Sequence, residues 1–194
     1  MKKYIKTTIL SCLAVAALTT TATAKSDWFV GLSAGSAVDG ERIYESNTME
    51  TSLDVEQVSF KIGKIQKDKD RWELEFSQHT ITPTTYLLGN ELELVEEKFN
   101  TIRFNTVTSL QFMSYKELFV PYIEAGIGWG QSDNEYLNGE FVSNLGLGVM
   151  SNLTESFQLD VKYRLDTNIG SSKTTDDVVT NSYGGMHIGV NYIF

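Results

Sequence analysis

The stretch FQLDVKYRLD, residues 157–166, places Phe157, Leu159, Val161, Tyr163 and Leu165 at alternate positions, with Gln158, Asp160, Lys162, Arg164 and Asp166 between them. A period of two is that of a β-strand, whose successive side chains point to opposite faces of a sheet. One face of this strand is wholly apolar and the other almost wholly charged, so it needs two different environments. The C-terminal GGMHIGVNYIF repeats the pattern, with Met186, Ile188, Val190, Tyr192 and Phe194 alternating against Gly185, His187, Gly189 and Asn191. Reading outward from these two predicts eight strands, at 28–38, 52–65, 71–80, 100–114, 119–131, 140–152, 156–167 and 183–194. No segment has the 3.6-residue period of a helix, and there are only two prolines.

The connections alternate in length. QKDKD, SYKE and NLTE make short turns after the second, fourth and sixth strands, and long polar loops come after the odd-numbered ones. Eight strands of about ten residues, with long loops at one end and short turns at the other, form the pattern of an all-β, antiparallel, up-and-down transmembrane barrel. A lipocalin-like soluble barrel is the alternative, with its apolar face turned inward around a ligand. The charges favour the membrane barrel. Lys61, Glu73, Glu75, Arg103, Glu124, Asp160, Lys162 and Arg164 share the polar face, four bases with four acids, as a narrow lumen filled by side chains requires. The opposite face carries Trp28, Trp72 and Trp129. With Phe112, Phe157 and Phe194 near the short-turn end and Phe141 near the long-loop end, they predict two aromatic girdles.

The first 24 residues read as a cleaved secretory signal: a basic MKKYIK, an apolar TTILSCLAVAALTT and a small-residue site at Ala22–Thr23–Ala24. The barrel domain is then 25–194. Cys12, the only cysteine, lies inside the signal, too early in its apolar run for a lipoprotein site, so residues 25–194 carry no disulfide and no thiolate metal site. Without Lys2, Lys3 and Lys6 the chain has 13 basic and 25 acidic residues, a net charge of −12. That excludes nucleic acid as a partner, because such binding rests on neutralising phosphates with cations. No cofactor motif is present either. PYIEAGIGWG, residues 121–130, resembles a phosphate loop, but Gly126, Gly128 and Gly130 lead into a polar loop and another strand, where a dinucleotide site needs a helix. The three share the lumenal face with Gly31, Gly35, Gly63, Gly146, Gly148, Gly185 and Gly189, where a missing side chain makes room for arginine and lysine heads.

FVPYIEAGIGWG, NLGLGVMSNLTESFQLDVKYRLD and the terminal HIGVNYIF resemble the small outer-membrane β-barrels of the OmpA-transmembrane-domain, OmpX and opacity-protein type. The resemblance implies a Gram-negative outer membrane, with lipid and lipopolysaccharide around the barrel and both termini periplasmic. It implies that Val190, Tyr192 and Phe194 are the strand signal read by the barrel-assembly machinery. It also implies lumenal pairs, Glu124 with Arg164 or Lys162, and Glu73 or Glu75 with Arg103 or Lys61. Unlike OmpA itself, the sequence shows no peptidoglycan-binding domain after the barrel, so the resemblance does not extend to a cell-wall tether.

Glu73 and Glu75 have the spacing of a carboxylate pair for acid–base work, but they face bases, and salt bridges account for them better. His79 and His187 are lone histidines without ligand spacing, and neither stands by a serine as a lipid A deacylase on the barrel surface would need. The long loops, 39–51, 80–98, 131–140 and 167–182, sum to −10, nearly all of the net charge. The expectation is an acidic rim that binds divalent cations shared with lipopolysaccharide phosphates, or meets a basic host or partner surface. In the second loop, TITPTTYLLGNELELVEEK alternates around Gly89–Asn90, predicting a protruding hairpin with Tyr86, Leu87 and Leu88 as contacts. The function expected is a structural or adhesin-like role with a plugged lumen; a low-conductance porin-like channel comes second and a lipid A-modifying enzyme third.

Overall fold

The structure is a computed structural model that describes residues 27–44, 47–66, 70–87, 90–93, 95–115, 118–133, 138–172 and 177–194. The signal segment 1–24, Leu88 and the turn residue Gly89 lie outside the described residues, as do the side chains of Tyr86 and Leu87. Nine strands form: β1 (Trp28–Tyr44), β2 (Asn47–Ile65), β3 (Arg71–Leu87), β4 (Asn90–Glu93), β5 (Glu97–Ser109), β6 (Phe119–Ser132), β7 (Glu140–Asn152), β8 (Phe157–Ser171) and β9 (Val178–Ile193). Every pairing is antiparallel and every barrel strand pairs with its neighbour in sequence. β9 returns to β1 and β2 pairs with β3, so eight strands close an up-and-down barrel. The short β4 pairs with the end of β3, Thr84 to Leu87 against Asn90 to Glu93, and extends the β3–β5 hairpin outward.

Alternation holds along the strands: on β5 it runs buried, exposed, buried almost to the end. The exposed face is apolar, with Val58, Phe76, Ile102, Phe104, Ile123, Ile127, Leu145, Leu147, Tyr163, Leu165, Ile188 and Val190 turned outward. In water such a surface would be untenable, and in lipid it is the solvated one. Trp28 stands edge-on to Trp72 at 5.2 Å, and Trp72 stacks on Phe104 at 6.3 Å. Phe157 packs on Tyr192 at 5.2 Å, and Tyr192 on Phe194 at 6.3 Å. Toward the long-loop end, Trp129 and Phe141 sit opposite each other on β6 and β7, both exposed.

The strands differ from the sequence reading in three ways. Strands β1 and β8 run further toward the long-loop end than 38 and 167, because polar alternating residues there pair across the hairpins as readily as apolar ones, while β3 runs past 80 into the hairpin expected of the second loop. The strand expected over 100–114 stops at Ser109; Gln111–Met113 form a 3-10 turn, on which Phe112 is 85% exposed rather than part of a strand. The third difference is in β1, where the register against both neighbours shifts between Ala37 and Gly40 or Glu41. This bulge switches the inward parity from odd to even numbers, so that Arg42 points into the barrel instead of lying in an exposed loop.

Candidate functional site: the charged lumen

Ten charged side chains fill the middle of the lumen, all buried: Lys61, Arg71, Arg103, Lys162 and Arg164 against Glu73, Glu75, Glu124, Asp160 and Asp166. Five bases balance five acids. Eight of these are the lumen network expected from the sequence. Arg71 and Asp166 escape that reading because they fall near predicted strand ends, although both keep the inward parity.

The ion pairs form two groups, joined through Asn105, whose amide donates to both Glu73 and Glu75 at 3.2 Å. Toward the short turns, Asp160 takes Arg71 at 3.0 Å and Lys61 at 3.4 Å, and accepts a hydrogen bond from the Tyr122 hydroxyl. Lys61 also reaches Glu73 at 3.7 Å. At mid-height Lys162 is paired with Glu124. Further out, Arg164 holds Glu75 and Asp166, both at 2.9 Å, and donates to Gln57 at 2.6 Å. Arg103 joins Asp166 directly and lies 3.5 Å from Glu75. The pairs implied for Glu124 are both present, with Lys162 in contact and Arg164 at 3.8 Å. A buried ion must be neutralised locally, because removing it from water costs several kcal/mol.

His79, expected alone near a strand end, is instead fully buried beside this network. Its ring nitrogens lie 2.9 Å from Arg103 Nη2 and 3.0 Å from the Tyr183 hydroxyl. His187 is also inward, its ring over the place where Gly35 lacks a side chain. Neither histidine is on the lipid-facing surface. Glu73, Glu75 and Glu124 bring one carboxylate oxygen each within 4.8 Å of one another, but Lys61, Arg164 and Lys162 already neutralise them.

The lumen is not charged along its whole length. Outward from the charges lies an apolar layer of Ala37, Leu53, Val55, Ile81, Phe99, Val142 and Tyr183. Toward the short turns, Val107, Val120, Tyr122 and Met150 form a smaller apolar cluster on β5, β6 and β7. There the Arg71 guanidinium sits over the rings of Phe29 at 5.2 Å and Tyr122 at 5.6 Å. Beside this cluster is a cleft of about 120 Å³ whose lining includes Arg71, Asn152 and Gln158 as well as Val120, Met150 and Ile193. Above the outer layer, Arg42 pairs with both oxygens of Glu97 at 2.9 and 2.7 Å and donates to Asn181 at 2.7 Å. Asn181 in turn donates to Glu140 at 3.4 Å. Arg42, Glu97 and Glu140, counted by sequence among solvated loop charges, are thus buried inside the barrel mouth. Arg42→Ala is expected to remove the two contacts to Glu97 and the one to Asn181 that tie the barrel mouth together. Hydrogen exchange of the β3–β5 hairpin amides above Phe99 should then rise at least tenfold while exchange at the charged centre is unchanged.

This closed barrel of eight strands, apolar outside and charged within, is the fold of the small outer-membrane β-barrels. Among solved structures it is similar to Neisserial surface protein A, at a TM-score of 0.63 and 16% identity, covering 87% of this chain and 98% of that one. It is also similar to the outer membrane protein OprG of Pseudomonas aeruginosa, at a TM-score of 0.58 and 14% identity, covering 88% and 97%. No family model and no curated protein matches the sequence.

Proposed function

We propose that this chain is an outer-membrane barrel with a plugged lumen, working as a structural or surface-interaction protein through the acidic segments at its long-loop end. The observation that supports the reading is the charge-balanced, buried lumen, with an apolar layer toward the long loops and an apolar cluster beside Arg71 toward the short turns. An ion entering from the long-loop end would have to cross the apolar layer there and displace a paired charge, each step costing several kcal/mol. Single-channel recording of the folded protein in planar bilayers tests it directly. Silent insertion is expected, and discrete openings in the unmodified protein would move the reading to the low-conductance channel. Enzymatic work on lipid A is the less supported third reading, because His79 and His187 are both turned away from lipid.

The acidic ends would serve as cation bridges to lipopolysaccharide phosphate or as a face for a basic partner, and Neisserial surface protein A, by its name a surface protein, shares the fold. Calcium titrated to millimolar levels is expected to shift backbone NMR signals of the exposed acidic positions, Glu41 and Asp133 among those described. Unmoved signals would remove the cation version and leave the basic partner. Val190, Tyr192 and Phe194 would act as the assembly signal; deleting Phe194 is expected to slow membrane assembly several-fold in cells without changing the folded barrel.

A further inference from the structure

The connection between β5 and β6 is rich in apolar residues. Its sequence, LQFMSYKELF at 110–119, holds two opposite charges, Lys116 and Glu117, whereas the turn between β2 and β3 is QKDKD. Among the described residues, Phe112, Met113, Tyr115, Leu118 and Phe119 are all exposed, and so is Leu153 of the neighbouring turn. Phe112, at 85%, is barer than Leu147 on the lipid-facing wall, at 62%. The patch is continuous with that wall. Phe119 has the outward parity of Ile123 and Ile127 on β6, and it is bridged to Tyr115. It also pairs with Ser151 on β7, two residues before Leu153.

Large apolar side chains exposed together at one end of the barrel mark a contact surface. We propose that the β5–β6 turn is a membrane anchor that inserts Phe112 and Met113 into the headgroup–acyl boundary of the periplasmic leaflet. The inference rests on the membrane-barrel reading and adds to it a part outside the strands. Backbone that enters lipid must be hydrogen-bonded internally. This turn meets that requirement. The amides of Leu110, Met113, Ser114, Tyr115 and Leu118 donate to the carbonyls of Pro121, Leu110, Gln111, Phe119 and Tyr115, at 2.7, 2.9, 3.0, 3.1 and 3.0 Å. A backbone closed on itself offers no strand edge to a protein partner, and the two charges cancel, so lipid is the occupant that fits. Apolar residues at an interface of this kind sit about 5–10 Å into the headgroup–acyl boundary. The β2–β3 turn, with Lys67, Asp68, Lys69 and Asp70 in sequence, stays in water.

Residues 25–194 contain no cysteine, so Phe112→Cys accepts a single environment-sensitive fluorophore. Leu147→Cys on the wall and Gln66→Cys on the charged turn carry the same label for comparison. Each folded protein is reconstituted in vesicles of phosphatidylethanolamine and phosphatidylglycerol. Iodide on both sides of the membrane quenches from water, and phospholipid spin-labelled on its acyl chain quenches from lipid. The Phe112 label is expected to lose at least about half of its emission to the spin-labelled lipid and little to iodide, and the Gln66 label the reverse. Quenching of the Phe112 label by iodide alone, with Leu147 in lipid, would overturn the anchor and leave the barrel reading standing. A Phe112 label shielded from both quenchers would overturn it in favour of a second copy of the chain over the turn. Equal lipid quenching at Gln66 and Phe112 would also overturn it, since the dye or the whole rim would then be responsible. A Leu147 label outside lipid would remove the barrel reading and the anchor together.

Discussion

Arg164→Met is expected to cost about 3–5 kcal/mol of barrel stability, the range for removing one partner of a buried ion pair. Arg164 touches Glu75 and Asp166, both at 2.9 Å, and lies 3.8 Å from Glu124, so its removal leaves five acids facing four bases in a volume closed to water. Methionine keeps much of the side-chain volume, which confines the effect to charge. Adding Glu75→Gln restores the balance at four and four, and the double variant should recover a substantial part of the loss. Denaturant titration in lipid vesicles measures this, with Trp28, Trp72 and Trp129 on the lipid face as fluorescent reporters. A single-variant loss under about 1 kcal/mol, the value of a solvated pair, would mean that water reaches the network. The plugged lumen would then be the wrong picture.

Gly128→Val is expected to abolish barrel closure. A Cβ at this position would fall against the carbonyl oxygen of Ile102 and the Cα of Arg103. Those are backbone atoms of the adjacent strand, which cannot swing aside without breaking the β5–β6 ladder. At Gly146, also inward, the nearest atoms to such a Cβ are 3.3, 3.5 and 3.7 Å away, so Gly146→Ala should fold nearly normally. Heat-dependent gel mobility separates folded from unfolded barrels, and the compact band should vanish for the first variant and persist for the second. Equal folding of the two would mean that the β5–β6 approach is looser than its register implies.

These two predictions rest on different layers of information. The alternation in FQLDVKYRLD and its seven counterparts already required eight two-faced strands, because side chains on a strand alternate whatever lies beside them. Charge of both signs on one parity and aromatics on the other then settled which face meets lipid. The glycines could be placed inward on the same ground. Their individual tolerances could not, since Gly128 and Gly146 differ only in what the neighbouring strand presents.

The resemblance implied Glu124 with Lys162 or Arg164, and Glu73 or Glu75 with Arg103 or Lys61, but not the contact of Arg164 with Glu75. Arg164 and Glu75 are 89 residues apart, and only closure with its particular register brings them within 2.9 Å. The apolar layer and the smaller cluster were present in the sequence as Leu53, Val55, Phe99 and Val107 on the inward parity, but the stronger charge signal masked them. Arg42 could not have been placed at all, because the bulge after Ala37 reverses the parity that sequence counting relies on. Strand period is a local property of the chain and was read from it; lumen chemistry depends on stagger, bulges and closure, which only the folded barrel decides.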